Sequence, residues 1–318
     1  MQKYFITGGA GFIGSSMADR LIEEGNEVCV YDNFSTGCRP FLKAASSSPN
    51  FSIIEGDLLD FERLKIAMKG SNFVYHFAAN ADVRFGANYP ERDLQQNTVA
   101  TFNVLEAMRL NKIMRLGFSS TGSIYGEPDI FPTPEDAPFP TQTSLYGASK
   151  LAGEGLISAY CNSFGINGVS YRFVSVLGER YTHGHVFDFC KSLIKNPNSL
   201  NVLGDGKQRK SYMYVQDCID AIRLVEKNNT NGFEVYNLGV DSYIEVNQSI
   251  NWITDTMHLD PKLIFEGGKR GWIGDSPFIY LDTTKIRTLG WKPTHEIEDG
   301  VKKTVKWLLE NQWALERD

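Results

Sequence analysis

Thr7-Gly-Gly-Ala-Gly-Phe-Ile-Gly14 decides the fold. The stretch follows a short apolar run at residues 4–7 and opens a helical pattern near Gly11, so Gly8, Gly11 and Gly14 fall at a strand-to-helix turn. Glycines there let the backbone approach a bound anion and leave helix N-terminal amides aimed at it. A tight turn with no ligand uses glycine as well, so the segments downstream of Gly14 must decide between the two. Further candidate strands recur at residues 27–31, 51–54, 73–77, 115–119 and 168–173, separated by helical patterns that begin near Gly11, Asp60, Asp93 and Ser144. This alternation predicts an α/β fold, a doubly wound parallel sheet with helices on both faces. After Arg172 the alternation becomes irregular, and Gly204-Asp-Gly206, Gly267-Gly268 and Pro293 punctuate short elements. Glu234-Val-Tyr-Asn-Leu238 reads as a strand that returns to the main sheet. The predicted organisation is a cofactor domain of residues 1–174 plus about 211–240, interleaved with a smaller α/β substrate lobe of about 175–210 plus 241–318.

Length and composition agree with two lobes around a large core: 318 residues, 42% hydrophobic and 22% charged. A net charge of −6 and the lack of any Lys/Arg run argue against a nucleic-acid face or an anionic membrane surface. No apolar stretch approaches the roughly 20 residues of a membrane span, and Met1-Gln-Lys-Tyr4 runs straight into a strand, so a cytoplasmic protein is expected. Cys29, Cys38, Cys161, Cys190 and Cys218 have neither CxxC nor metal-ligand spacing, so reduced thiols and no metal site are expected.

Asp32 ends the second candidate strand, 18 residues after Gly14. A carboxylate there accepts hydrogen bonds from adenosine ribose hydroxyls and repels a 2′-phosphate, so the turn reads as a Rossmann-like site for NAD rather than NADP. Asp57, in Gly56-Asp57-Leu58, has two readings: a contact to the adenine edge, or a turn or helix cap before Asp60. Phe77-Ala-Ala-Asn80 closes the fourth strand with small residues that leave room for a cofactor, and His76 beside it reads as a core or tautomer-locked histidine. Tyr146-Gly-Ala-Ser-Lys150 places a phenol and an ammonium one helical turn apart. Such a pair can be an exposed coincidence, or the ammonium can bring a phenol of pKa about 10 toward use as a base near neutral pH. A base of this kind beside an NAD site points to hydride transfer.

These motifs resemble the extended short-chain dehydrogenase/reductase family, in its nucleotide-sugar epimerase and dehydratase branch. The resemblance covers nearly the whole chain. It is carried by Thr7 to Gly14, Tyr31-Asp-Asn33, Gly56-Asp57, His76-Phe-Ala-Ala79, Phe118-Ser-Ser-Thr121 with Ile124-Tyr-Gly126, Tyr146 to Lys150, and Arg172 to Gly178. It implies NAD contacts from Gly8, Gly11, Phe12, Ile13, Gly14, Asp32, Asn33, Ser35, Asp57, Leu58, Phe77, Ala78, Ala79 and Asn97, together with Tyr146 and Lys150. It also implies a catalytic trio of Thr121, Tyr146 and Lys150; a simple hydroxyl turn would use Ser119-Ser120-Thr121 equally well, and only the resemblance selects Thr121.

In the family's sugar 4,6-dehydratases an Asp-Glu pair follows the catalytic hydroxyl, where this chain has Gly122 and Ser123. The branch's decarboxylases use a carboxylate, and its 3,5-epimerases a cysteine, at the position of Ser123. Serine hydrogen-bonds but does not readily take a carbon-bound proton at neutral pH. The resemblance therefore implies C4 redox chemistry: a nucleotide-sugar 4-epimerase that oxidises C4, turns the 4-keto sugar and reduces it on the other face. A C4 dehydrogenase or ketoreductase is the alternative, and a nonenzymatic NAD-binding regulator stands behind both. Gly122 suits rotation of the sugar or simply relieves backbone strain.

On the substrate side the resemblance implies contacts from Ser123, Ser175, Arg209, Lys210, Arg270 and Asp275. Ser175 stands where the family has an asparagine that meets the diphosphate. Lys210 stands where it commonly has arginine, and Arg209 one residue earlier is an equally open choice of clamp. Trp272 replaces an arginine of the family's Arg-x-Gly-Asp segment, with Arg270 two residues before it, and Leu203 falls where some members stack an aromatic on the base. A homodimer is expected through helices at about residues 93–110 and 144–161.

Overall fold

The computed structural model describes residues 1–80, 88–138, 141–228, 231–271, 276 and 278–316. Seven strands form one sheet: β1 (Lys3–Thr7), β2 (Glu27–Asp32), β3 (Phe51–Glu55), β4 (Phe73–His76), β5 (Arg115–Thr121), β6 (Asn167–Phe173) and β11 (Phe233–Leu238). All neighbours are parallel, in the order β11-β6-β5-β4-β1-β2-β3. With helices on both faces, the central strands are buried on both sides, which explains near-continuous apolar runs such as Tyr4-Phe-Ile6 rather than alternation. The order reverses between β1 and β4, and the glycine turn leaves β1 at that switch point, where ligands bind in doubly wound sheets. This is the Rossmann-like arrangement expected from the sequence, and β11 does return to the sheet beside β6.

The helix expected near Asp93 is interrupted. A short helix Pro90–Asp93 passes into a π-helical segment Leu94–Val99 and then into helix Ala100–Asn111. Wider turns of this kind recur where a side chain must be re-aimed at a functional site, and Asn97 lies in the middle of this one.

The remaining strands are short. β7 (Ser175–Leu177) pairs with β10 (Tyr212–Tyr214), β8 (Ser199–Val202) with β13 (Lys262–Phe265), and β9 (Arg209–Lys210) lies between β12 (Ile244–Glu245) and β14 (Phe278–Ile279). Helix Val215–Lys227 packs against α1 (Phe12–Glu23), while helix Val246–Met257 packs against Ile297–Glu310. Among the described residues no helix is long and apolar enough to cross a membrane.

One buried ion pair ties the helix that carries Tyr146 and Lys150 to the sheet. Arg172 of β6 donates to Glu154 of helix Leu145–Phe164 through Nε (3.1 Å) and Nη2 (2.8 Å), with both side chains under 5% exposed. Its Nη1 reaches the Tyr125 hydroxyl (2.6 Å), which donates to Asn237 of β11 (2.9 Å). Removing one partner strands the other charge in the interior. Arg172→Met is therefore expected to cost about 3–5 kcal/mol in urea unfolding. A loss below about 1 kcal/mol would mean that Glu154 finds other compensation.

Candidate active site

The cofactor cradle is set by close backbone approach. Gly8 has φ +66°, and a Cβ on it would stand 2.5 Å from the Ala78 nitrogen at the end of β4. A Cβ on Gly14 would fall on the Gly8 carbonyl oxygen. Gly11 caps α1 without a side chain, so no side chain takes up the first-turn amides. Asp32 is 8% exposed, and its two oxygens accept from the Ala10 amide (2.9 Å) and the Phe34 amide (2.9 Å). Burial raises its carboxyl above the usual range, against the lowering effect of these two bonds. Each oxygen keeps a second lone pair for a ribose hydroxyl. These features fit a dinucleotide: a cradle that side chains would fill, uncapped amides for a pyrophosphate and a fixed carboxylate for a ribose.

The neighbouring residues form a linked rim. Asn33 Nδ2 donates to Asp57 (2.9 Å), and the Ser35 amide and hydroxyl donate to Asn33 Oδ1 (3.0 and 2.7 Å). Asp57 also accepts from the Leu59 amide (2.9 Å), which is its turn role, while Asp60 caps helix Phe61–Ala67. Leu58 and Phe12 are buried, Ile13 and Ala79 are half-buried, and Phe77 stacks on Tyr75 at 5.2 Å.

His76 and Asn97 form the floor. Thr101 Oγ1 donates to the Asn97 carbonyl (2.5 Å), so it accepts from His76 Nε2 (3.0 Å), and His76 Nδ1 accepts from Thr7 (2.7 Å). This fixes a neutral Nε2–H tautomer. Burial, then the Lys150 charge, pushes the imidazole down to about 3. Asn97 contacts the cofactor-side loop through its neighbours: Oδ1 accepts from the Asn80 amide (2.8 Å), and Nδ2 donates to Ser149 Oγ (2.9 Å) and Asp93 (3.3 Å).

Thr121 ends β5, and Ser144 caps helix Leu145–Phe164 through the Gly147 amide (3.0 Å), which presents Tyr146 and Lys150 on one side. Thr121 Oγ1 donates to Ser123 Oγ (3.2 Å), and the Thr121 hydroxyl favours the ionised form of the Tyr146 phenol. Burial first, and the Asp93 charge second, push the phenol up to about 12. Lys150 is 1% exposed, donates to the Ser119 carbonyl (2.8 Å) and lies 4.6 Å from the Phe118 ring centre. Burial brings its ammonium down to about 7. The one-turn spacing thus brings the pair together, but Lys150 donates to Ser119 rather than to the phenol.

Successive strand residues face opposite ways, and this separates the two candidate cations. Arg209 is opposite Phe278 and lies over its ring at 4.0 Å; Lys210 is opposite Ile279 and donates to the Ser276 carbonyl. Ile279 is also the wall beside Gly122, 3.2 Å from where a Cβ would stand, with Leu281 at 3.5 Å. Lys210 therefore shares the Gly122 side with Ile279, and Arg209 does not. Ser175 is exposed at the start of β7, and Arg270 pairs with Glu127 (2.6 Å). Leu203 is exposed. Trp272 and Asp275 lie outside the described residues. Asn80, Asp93, Ser149 and Ile279 had no sequence signal strong enough to select them, since each acts through partners far along the chain.

A family model described as the NAD dependent epimerase/dehydratase family matches residues 4–239. UDP-glucose 4-epimerase of Corynebacterium glutamicum is 30% identical over 332 residues, covering 99% of this chain and 95% of that protein. A crystal structure of a UDP-galactose 4-epimerase is 36% identical, with TM-score 0.88, covering 98% of this chain and all of the other. UDP-glucuronic acid 4-epimerase of Bacillus cereus, solved with NAD and a fluorinated UDP-sugar, is 25% identical with TM-score 0.88, covering 97% and 99%.

The buried histidine gives this site a pH signature. An unfolded imidazole binds its proton below about 6.5, but His76 refuses it until about 3, so the unfolded chain takes up more protons in between. Stability should fall as pH drops through that window, by about 2 kcal/mol from this residue between pH 7 and about 5. Urea unfolding of wild type and His76→Gln at both pH values measures it; equal losses in the two proteins would contradict a neutral, buried His76.

Proposed function

The chain belongs to the NAD-dependent epimerase/dehydratase family, whose members act on nucleotide sugars with NAD as cofactor, and within it we propose a nucleotide-sugar 4-epimerase of the UDP-glucose 4-epimerase type. The observation that carries this reading is the Tyr146 phenol on the helix of buried Lys150 and under the influence of the Thr121 hydroxyl, with only Gly122 and Ser123 where dehydration or decarboxylation needs an acid or base. Bound NAD⁺ supplies a hydride acceptor and donor, and a positive ring that favours a nearby phenolate. Gly8, Gly14, the first amides of α1 and Asp32 are the residues to hold it.

Tyr146 takes the proton of the sugar 4-hydroxyl as C4 is oxidised and returns it after the 4-keto sugar has turned. Thr121 holds the same oxygen and shortens the proton path to Tyr146. Lys150 keeps a cation at the floor. Of the two candidate cations, Lys210 is the diphosphate clamp that the strand alternation favours, with Ser123, Ser175, Arg270 and Asp275 as further contacts. Gly122 leaves space for turning, bounded by Ile279.

The proposed homodimer would pair through the exposed face of helix Leu145–Phe164, where Leu145 and the small residues Ala152, Gly155 and Ala159 form an apolar stripe near exposed Phe102 of Ala100–Asn111. Small residues let paired helices approach closely. A cytoplasmic setting suits five cysteines outside any disulfide, four of them buried.

Incubation with UDP-, GDP-, CDP- and dTDP-sugars without added reductant, followed by NMR and absorbance, should give inversion at C4 with no lasting NADH. Accumulating NADH with a product lighter by two hydrogens would make the protein a C4 dehydrogenase. Tyr146→Phe should lose about 10²-fold or more in turnover. Sedimentation should show a dimer that Ala152→Glu converts to monomer; an unchanged dimer would move the interface elsewhere.

A further inference from the structure

The loop that leaves Asp32 is anchored at both of its ends. At its start the Phe34 amide donates to Asp32 Oδ1 (2.9 Å), and the Cys38 amide donates to the Ala10 carbonyl (2.9 Å) inside the glycine turn. Gly37 packs so closely there that a Cβ on it would stand 2.9 Å from both Asp32 Oδ1 and the Ala10 Cβ. The far end is the tight helical turn Arg39–Leu42, in which Phe41 is 3% exposed. Asn33, Ser35 and Thr36 between them are exposed, so the two ends hold this stretch in place. Phe41 is gripped by two tryptophans from the far part of the chain. Trp307 lies in the last turn of helix Ile297–Glu310, and Trp313 in the short turn Gln312–Ala314. Their ring centres stand 5.9 and 5.8 Å from that of Phe41, at 63° and 54°, and 6.3 Å from each other. Asn311 folds the chain back between them: its amide and Nδ2 donate to the Trp307 carbonyl (2.9 Å each), and its Oδ1 accepts from Trp313 Nε1 (3.2 Å). Helix Ile297–Glu310 packs in turn on helices His185–Lys195 and Val246–Met257, in the stretches read above as the substrate lobe.

Resting on the reading of Asp32 as the ribose carboxylate, we propose that Trp307 and Trp313 are positioning residues for NAD: clasped on Phe41, they hold residues 33–42 in the shape that retains the cofactor. A loop that spends part of its time out of place binds more weakly by that fraction. Aromatic contacts at its far end keep it in place, and affinity set in this way is expressed mainly in the rate of release. The clasp acts through the loop, so its effect falls on NAD retention and not on proton transfer at Tyr146. Because the two tryptophans come from the helix that packs on the substrate lobe, the lobe that meets the sugar also secures the far side of the cofactor loop.

The rate at which NAD leaves the holoenzyme tests this, measured with an NAD glycohydrolase that destroys the released cofactor. Trp313→Ala should release NAD about 3- to 10-fold faster, the range that one aromatic contact carries. The loss should fall on retention and not on kcat with NAD in excess, and Trp313→Phe should recover most of it. Phe41→Leu should speed release to a similar extent, and the double variant Phe41→Leu/Trp313→Ala no further, since both remove the same contact. Val104→Ala, which hollows the core on the opposite face of the sheet, should lower stability and leave the release rate as it is. An unchanged release rate in Trp313→Ala, or an increase that Val104→Ala reproduces, would overturn the proposal and leave the cluster as core packing. A failure of the ribose reading looks different, because Asp32→Ala would then hold NAD as tightly as wild type. If neither clasp variant folds, hydrogen exchange in the wild-type holoenzyme carries the test. Amides of residues 33–42 and 307–314 should open as one unit with the same dependence on denaturant, and independent opening of the two segments would overturn the proposal equally.

Discussion

Three pieces of backbone meet at the open end of the sheet, and nothing with a side chain fits between them. Gly8 leaves β1 in a left-handed conformation against Ala78, and Gly14 presses on the Gly8 carbonyl from the first turn of α1. A Cβ at either position meets backbone, which cannot move aside without separating β1 from β4 or α1 from the sheet. The same crowding puts uncapped helix amides beside the point where strand order reverses. Asp32 then fixes the third side by accepting from Ala10 inside the turn. The anion site and the topology are consequences of one packing constraint.

The catalytic side depends on burial of charge rather than on contact between like partners. Helix Leu145–Phe164 brings Lys150 and Glu154 inward, one helical turn apart, and the sheet answers them differently. Glu154 receives two bonds from Arg172. Lys150 receives a carbonyl and an aromatic face, which hold a cation less firmly, and its ammonium falls to about 7. A lysine so placed can respond to the charge of whatever binds beside it. Tyr146 moves the other way under the same desolvation, so the pair is poised by its surroundings, Asp93 among them. Spacing in the helix brings these groups to one place, while the protonation of Tyr146 and Lys150 is set first by burial and then by Asp93 of the short helix, Glu154 and Thr121.

This division explains what could be read from the chain alone. The sheet was legible because each strand is a contiguous apolar run and each helix starts at a local signal such as Ser144 or Asp60. The glycine turn and Asp32 were legible because their geometry is local and tightly spaced. The interruption around Asn97 was not, since a π turn leaves no periodic mark in six residues and is stabilised by Asn80 and Ser149, which lie 17 and 52 positions away. The link from Asp57 to Asn33 was hidden for the same reason, with both readings of Asp57 open until the partner was seen.

The substrate side diverges where the fold can tolerate it. β9 has two residues, and a pair that short commits one side chain to each face. Arg209 is drawn outward by Phe278 and Tyr243, whose rings hold the guanidinium at 4.0 and 5.5 Å. Lys210 is left facing the side of Gly122 and Ile279, as a point charge that makes weaker geometric demands on an anion than arginine would. Ile279 obeys the same alternation and closes the space beside Gly122. Tyr146, Lys150 and Thr121 stand on long elements that a substitution would disrupt, whereas Ser175 and Lys210, proposed above to meet the substrate, stand on three- and two-residue strands. Selection for a different sugar can therefore act on these short strands without disturbing the packing that holds Tyr146, Lys150 and Thr121 in register.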